Sequence, residues 1–316
     1  MAKVAFLFPG QGSQSVGMGQ ELLNKEQVSK KIFEAADKTL GYSLTEIMVN
    51  GPEETLRRTE HTQPALLTMS TAVLELFKEE NIKPDFVAGH SLGEYSALVA
   101  AGAMTFEDAV FAVRNRGLFM EEAVPFGEGA MAAVLGLERE VLEDVCQSVS
   151  KETSESAELA NLNCPGQIVI SGSAKGVEIA GEKAKEAGAK RVIPLQVSGP
   201  FHSSLMKPAA DKLEGVLKDL TVTDATVPVI ANSTANAVQD ASEIRKNLIE
   251  QVYSPVLWED TIRTLLDEGV DLFVEVGSGN VLAGLVRKVQ RRANVVSVSD
   301  RDGVLKVKEM LEGVTG

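Results

Sequence analysis

Eleven residues, Asp85-Phe86-Val87-Ala88-Gly89-His90-Ser91-Leu92-Gly93-Glu94-Tyr95, constrain what this chain can fold into more than any other stretch. The short apolar run from Phe86 to Ala88 reads as a buried strand, and Tyr95 to Ala101, closed by Gly102, reads as a helix. Between them Gly-x-Ser-x-Gly has to turn sharply. A serine on a tight turn between strand and helix is the context of a nucleophile elbow. The glycines let the backbone turn and leave space beside the serine oxygen. Ser91 would then stand at a helix N-terminus, where unpaired N–H groups favour developing negative charge. The same residues also suit an ordinary strand-to-helix turn with Ser91 as its N-cap. The motif alone is common by chance, and it is the flanking strand and helix that favour catalysis.

An α/β rhythm surrounds this turn. Residues 4–8 read as a first strand, leading into the irregular loop Pro9-Gly10-Gln11-Gly12-Ser13-Gln14. Gly10-Gln11-Gly12 lacks the third glycine of a dinucleotide loop, since Ser15 stands where that pattern would place it. Helical patterns follow over 28–40, 44–49 and 53–58. His61-Thr62-Gln63-Pro64 reads as a break, with Pro64 in the first turn of a helix reaching residue 79. Thr105 and Asp108 read as an acidic capping box opening a helix to about residue 123. On that helix Ala109, Val113, Arg116 and Met120 share one narrow stripe, while Arg114 lies near the opposite side. Phe111 and Leu118 are apolar on the far side, so the helix is expected to be covered on both faces. A buried guanidinium requires an anion. For Arg116 that anion is either a structural glutamate or a substrate, and spacing does not choose between them.

Residues 127–197 change the pattern to strand–helix–strand twice over, the ferredoxin-like unit. The earlier rhythm resumes afterwards, so this unit reads as an insertion between Pro125-Phe126-Gly127 and Ser198-Gly199-Pro200. The expected architecture is therefore α/β: a core of 1–126 and 198–316 with a mostly parallel sheet, and a small subdomain of 127–197. Gly277-Ser278-Gly279-Asn280 joins a strand to a helix, as a phosphate loop or as an ordinary βα turn.

With 316 residues, 44% of them hydrophobic, the chain has material for a large core and a second domain. The apolar run at Val4–Phe8 is too short for a signal peptide, and no stretch approaches the length of a membrane span. A net charge of −14 argues against nucleic-acid binding. Cys146 and Cys164 have no metal-ligand spacing, which points to a reducing, cytoplasmic compartment and no metal site.

A serine nucleophile needs a base. Of three histidines, His90 adjoins Ser91 and should project away from it, and His61 sits in a loop that could be surface. His202, in Gly199-Pro200-Phe201-His202-Ser203, follows the serine in the α/β-hydrolase order and is the leading candidate. Asp108 and Asp144, the aspartates between Ser91 and His202, are poorly placed to orient it, so a backbone carbonyl or an amide could hold the imidazole instead.

Six motifs in order, spanning nearly the whole chain, resemble the malonyl-CoA:acyl carrier protein transacylase family. They are Gly10-Gln11-Gly12-Ser13-Gln14, Gln63-Pro64-Ala65, Gly89-His90-Ser91-Leu92-Gly93-Glu94, Arg114-x-Arg116-Gly117, Gly199-Pro200-Phe201-His202-Ser203 and Glu275-Val276-Gly277-x-Gly279-Asn280-Val281-Leu282. The resemblance implies a hydrolase-like core with the ferredoxin-like unit across a cleft. It implies that Ser91 is acylated, that His202 is its base, and that the Gln11 and Leu92 N–H groups form an oxyanion hole. Arg116 would pair with the malonyl carboxylate, Gln63 would arrange the pocket, and the carbonyl of Gln251 would orient His202. Asn163 and Asn232 match positions near the site, and Phe201 matches the malonyl-selecting form. The implied partners are malonyl-CoA and an acyl carrier protein, with phosphopantetheine carried by the substrates and no cofactor on the protein. The implied enzyme is a monomer that supplies fatty-acid synthesis. A discrete polyketide acyltransferase, a serine thioesterase or esterase, and a non-catalytic carrier-binding subunit are the alternatives. Lys190-Arg191, and Arg287-Lys288 with Arg291-Arg292, are candidate carrier contacts or plain solvated surface.

Overall fold

The computed structural model describes residues 2–313; residue 1 and residues 314–316, at the two ends of the expected core, lie outside the described residues. The strands are β1 (Val4–Phe8), β2 (Phe86–Gly89), β3 (Gly129–Leu135), β4 (Ala157–Cys164), β5 (Gln167–Ser173), β6 (Arg191–Pro194), β7 (Val229–Ile230), β8 (Ala237–Val238), β9 (Leu272–Val276) and β10 (Asn294–Val298). Six of them form a sheet of order β10-β9-β1-β2-β7-β8, parallel except for the edge pair β7–β8. Strands β1, β2 and β9 are buried at every residue, as expected of parallel strands covered by helices on both faces. Alternate residues serve the two faces. Phe6, Phe8, Val87 and Val274 join one apolar cluster; Ala5, Leu7, Ala88 and Phe273 join another with Trp258 and Ile262.

The segment between Gly129 and Pro194 forms its own antiparallel sheet, in the order β4-β5-β3-β6. Helices Arg139–Glu152 and Ala174–Glu186 close over it, burying Leu142, Cys146, Val149, Val177 and Ala180 against Val134, Leu162 and Ile170. The chain's entry and exit run side by side, since a Cβ at Gly129 would lie 2.3 Å from Pro200.

Two expectations need correction. The segment 61–64 is no break: one helix runs Thr59–Glu79 with Pro64 inside it. Proline removes the N–H that the Glu60 carbonyl would receive, and the Arg114 guanidinium donates to that carbonyl instead, at 3.3 Å. Helix Phe106–Glu122 is not covered on both faces, because it packs one side on the Thr59–Glu79 and Lys207–Asp219 helices and leaves Phe111 exposed. Of the two readings of Gly277–Asn280 the ordinary βα turn fits, because no free helix N-terminus is presented there. The buried Glu275 carboxylate accepts from the N–H groups of Leu282 and Ala283 at 2.9 and 3.0 Å, so the positive end of that helix already holds an anion. Two short elements, helix Gln20–Lys25 and strand β8, lacked any sequence signal. Among the described residues no helix is long and apolar enough to cross a membrane.

Candidate active site

Parallel register builds the floor of the site. Phe8 pairs with Gly89, so the chains leaving β1 and β2 run level, and Gln11 and Leu92 each stand three residues beyond that pair. The turn is as tight as glycine allows. A Cβ on Gly89 would lie 1.8 Å from the Gly93 carbonyl oxygen, and one on Gly10 would lie 2.5 Å from that of His90. The N–H groups of Gln11 and Leu92 meet no acceptor among the described residues. Ser91 itself sits at φ +53°, and His202 at φ +56°. For residues with a Cβ this left-handed region costs about 1–2 kcal/mol each, and such strain concentrates at sites where side-chain aim matters.

Ser91 Oγ lies 2.8 Å from His202 Nε2, and His202 Nδ1 lies 2.8 Å from the Gln251 carbonyl oxygen. A carbonyl only accepts, so Nδ1 carries the proton and Nε2 is left as the acceptor for the serine proton. Gln251 closes helix Ala241–Gln251, whose C-terminal dipole favours the imidazolium that forms when the proton arrives. The resting imidazole is held neutral. Burial, followed by the charge of Arg116, lowers its pKa to about 3.

Arg116 is 1% exposed, on the inward stripe of its helix. Its Nη1 donates to Gln63 Oε1 at 2.8 Å; its Nη2 donates to Gln251 Oε1 at 2.8 Å and to Ser91 Oγ at 3.1 Å. Its Nε has no partner. Among the described residues no carboxylate lies within ion-pair distance of this guanidinium, whereas Arg114, two residues earlier, pairs with Glu60 at 2.9 Å. The two arginines thus divide the alternatives: Arg114 has the structural glutamate, and Arg116 has polar oxygens and an open donor. Burial pushes the Arg116 pKa below its ordinary value, and a bound anion would relieve that cost.

Asn232 follows β7. Its Oδ1 accepts from the Ser91 N–H at 2.7 Å and its Nδ2 donates to the Gly89 carbonyl at 2.7 Å, so it holds the strained turn from below. Asn163 reaches His90 rather than Ser91, with its Oδ1 2.8 Å from His90 Nε2, and the His90 ring lies against Trp258. His61 binds the Thr55 carbonyl through Nδ1, away from the serine. Phe201 is buried, with its ring edge near Gly199. Gln11 Nε2 reaches Thr59 Oγ1 at 3.5 Å, and Thr59 Oγ1 lies 3.1 Å from Ser198 Oγ.

Sequence reasoning missed Glu94 as a member of this network. It is the one charged residue in Gly93–Ala100, a helix otherwise buried almost throughout, and a lone acid in such a helix was the available signal. Its carboxylate accepts from the Asn232 N–H at 3.0 Å and Gln251 Nε2 at 2.9 Å, and burial lifts its pKa to about 7. Among the described residues no group of three or more His, Cys, Asp or Glu side chains is arranged to hold a metal ion.

A serine hydroxyl hydrogen-bonded to a neutral imidazole, beside a buried cation on an α/β scaffold, is an arrangement suited to acyl transfer, and residues 5–308 match the family model described as acyl transferase domain. A malonyl CoA-acyl carrier protein transacylase of Bacillus subtilis (strain 168) is 58% identical over 304 residues, covering 96% of each chain. Among solved structures, the malonyl CoA-acyl carrier protein transacylase of Coxiella burnetii superposes with a TM-score of 0.95 at 40% identity, covering 98% of this chain and 97% of that one. A malonyl-transacylase in complex with a type II PKS acyl-carrier protein gives a TM-score of 0.94 at 41% identity, covering 98% and 99%. The chain belongs to the malonyl CoA-acyl carrier protein transacylase family.

Proposed function

We propose that this acyltransferase moves a malonyl group from malonyl-CoA to the phosphopantetheine thiol of an acyl carrier protein through a malonyl-Ser91 ester. The observation that carries the reading is the buried Arg116 guanidinium, without a carboxylate partner among the described residues and 3.1 Å from the Ser91 hydroxyl. A neutral acyl ester has no use for that cation; a malonyl half-thioester has a carboxylate to offer it, and a planar fork suits a carboxylate better than a lysine would. Ser91 Oγ attacks the thioester carbonyl as His202 Nε2 takes its proton. The carbonyl oxygen becomes an oxyanion between the Gln11 and Leu92 N–H groups; one such donor is typically worth roughly 10²–10³-fold in rate. The C–S bond breaks, and CoA leaves as a thiol with the proton from His202. The carrier's thiol then gives its proton to the same nitrogen and attacks the ester carbonyl; the C–O bond to Ser91 breaks, and Ser91 Oγ leaves as a hydroxyl with that proton from His202. The cycle is ping-pong and uses no cofactor or metal.

Gln63 sets the outer half of Arg116, and Gln251 its inner half together with His202. Phe201 narrows the room beside the acyl C2, and Asn163 steadies the elbow through His90. We read residues 1–126 and 198–316 as a hydrolase-like core and 127–197 as an inserted ferredoxin-like subdomain, with the substrate between them. The enzyme acts as a monomer in the cytoplasm, without nucleic-acid or membrane partners, and supplies fatty-acid synthesis. A polyketide carrier is the second reading, favoured by the relative that is complexed with a type II PKS carrier; the transfer chemistry is the same.

Intact-mass spectrometry after incubation with malonyl-CoA tests the reading. One malonyl unit should appear on the wild type and be absent from Ser91→Ala, and adding holo-carrier should discharge it onto the carrier. A wild type that never acquires the mass, or releases only free malonate in the presence of carrier, would overturn the transfer mechanism.

A further inference from the structure

Nothing in the transfer steps above uses Glu94, yet its buried carboxylate joins residues that hold each part of the site. Its Oε2 accepts from two donors, the Asn232 N–H and Gln251 Nε2. Asn232 carries the Ser91 N–H on its Oδ1. Gln251 donates from Nε2 to the Ser91 carbonyl at 2.9 Å, accepts Arg116 Nη2 on its Oε1, and holds His202 with its main-chain oxygen.

Donor and acceptor arithmetic gives this arrangement a direction. A carboxylate only accepts, so Gln251 must turn its NH2 toward Glu94, and its single amide oxygen then faces the guanidinium. The reversed amide would set NH2 against Arg116 and oxygen against Glu94, leaving buried groups unpaired on both sides. Burial lifts the carboxyl pKa to about 7, against the Asn232 and Gln251 hydrogen bonds and the Arg116 charge, which favour the ionised form; the carboxylate therefore predominates at pH 8 and is lost as pH falls through 7.

We propose that Glu94 is a positioning residue: it locks the Gln251 amide with its oxygen toward Arg116 and anchors Asn232 beneath Ser91, so that one carboxylate keeps nucleophile and anion-binding cation in register. It binds the side-chain amide of the residue whose main-chain carbonyl orients His202, and it acts through that residue rather than on substrate. The inference rests on the reading of Ser91 as nucleophile and Arg116 as the anion partner.

Glu94→Gln keeps the shape but offers a donor as well as an acceptor, which frees the Gln251 amide to turn over. Single-turnover acylation of Ser91 at pH 8, with malonyl-CoA and with acetyl-CoA, should slow for both acyl groups by about ten- to a hundredfold, the scale of a small misplacement of reacting groups. Gln251→Ala, which retains the main-chain carbonyl, should also slow acylation. The double variant should be no slower than the slower single one, because both act through one network. Wild-type rates in folded Glu94→Gln, or losses that multiply in the double variant, would overturn the proposal; a lowered melting temperature with unchanged rates would mark Glu94 as merely structural. If Glu94→Gln does not fold, Gln251→Ala decides alone, and unchanged acylation there overturns the proposal. A wild type that forms no malonyl-Ser91 would be a failure of the catalytic reading itself, and the unmutated enzyme reports it separately.

Discussion

In the proposed mechanism Arg116 is the residue on which substrate choice turns. Its cost is visible in the fold: a fully buried cation with, among the described residues, an unpartnered Nε and no carboxylate in contact. Its neighbours are oxygens of Gln63, Gln251 and Ser91, which satisfy hydrogens without neutralising charge. A malonyl carboxylate would supply the neutralisation, and an acetyl group would not. Arg116→Ala should therefore cut malonyl transfer by about a hundredfold or more, as expected for two charge-assisted hydrogen bonds of roughly 1.5–3 kcal/mol each. Acetyl transfer should persist or rise, because the alanine removes a desolvated charge that acetyl never used. Steady-state kcat/KM for the two CoA esters checks this, and equal losses for both would mean that Arg116 only shapes the cavity. His202 shows the complementary economy: its burial, with Arg116 nearby, keeps it neutral, which a base must be before it acts.

Among the elements, helix Thr59–Glu79 shows how a rule of local sequence is overridden by a distant side chain. Pro64 interrupts its hydrogen-bond ladder, and Arg114 repairs it by donating to the Glu60 carbonyl while pairing with the Glu60 carboxylate. Burial alone would raise that carboxyl, but the bonds and charge of Arg114, aided by Arg58 and His61, hold it below its usual value. Arg114→Ala should destabilise the protein by about 2 kcal/mol, since Arg58 still reaches Glu60 at 2.6 Å while the carbonyl is left without its donor. Urea unfolding measures this, and the malonyl-to-acetyl ratio should stay at its wild-type value. A changed ratio would mean that Arg114 shares the work of Arg116. The elbow and the Arg116 stripe could be read from the chain because each is a local pattern, a turn between two periods or a helical face. The Glu94–Gln251–Asn232 network could not. Its contacts join residues 138, 157 and 141 positions apart, and amide side chains carry no periodic signal. The left-handed backbone at Ser91 and His202 was hidden for a similar reason: serine does not favour such φ values, and histidine, though enriched there, takes them in only a small fraction of its occurrences.

For the molecule as a whole, electrostatics frame the meeting with the carrier. The chain carries a net charge of −14, so an acidic partner would be repelled from most of its surface and needs a local basic face. The two basic segments that the sequence left as separate candidates lie against the same part of the small sheet. Lys288 binds Gln167 at 2.8 Å, the Lys190 side chain packs over Gly136, and the Gly136 N–H donates to the Gly166 carbonyl at 2.8 Å. Lys190, Arg191, Arg287, Lys288, Arg291 and Arg292 are all exposed, the first two at the start of β6 and the others in and just after the helix Val281–Val289. We expect this face to receive the acyl carrier protein. Reversing Arg291 and Arg292 to glutamate should raise the KM for the carrier by about tenfold or more at low salt, with the difference shrinking as ionic strength screens exposed charges. The KM for malonyl-CoA and the yield of malonyl-Ser91 should not change, because neither residue approaches the Ser91 network. A carrier KM unaltered by the reversal, or a loss shared equally with malonyl-CoA, would remove this face as the docking surface while leaving the chemistry at Ser91 intact.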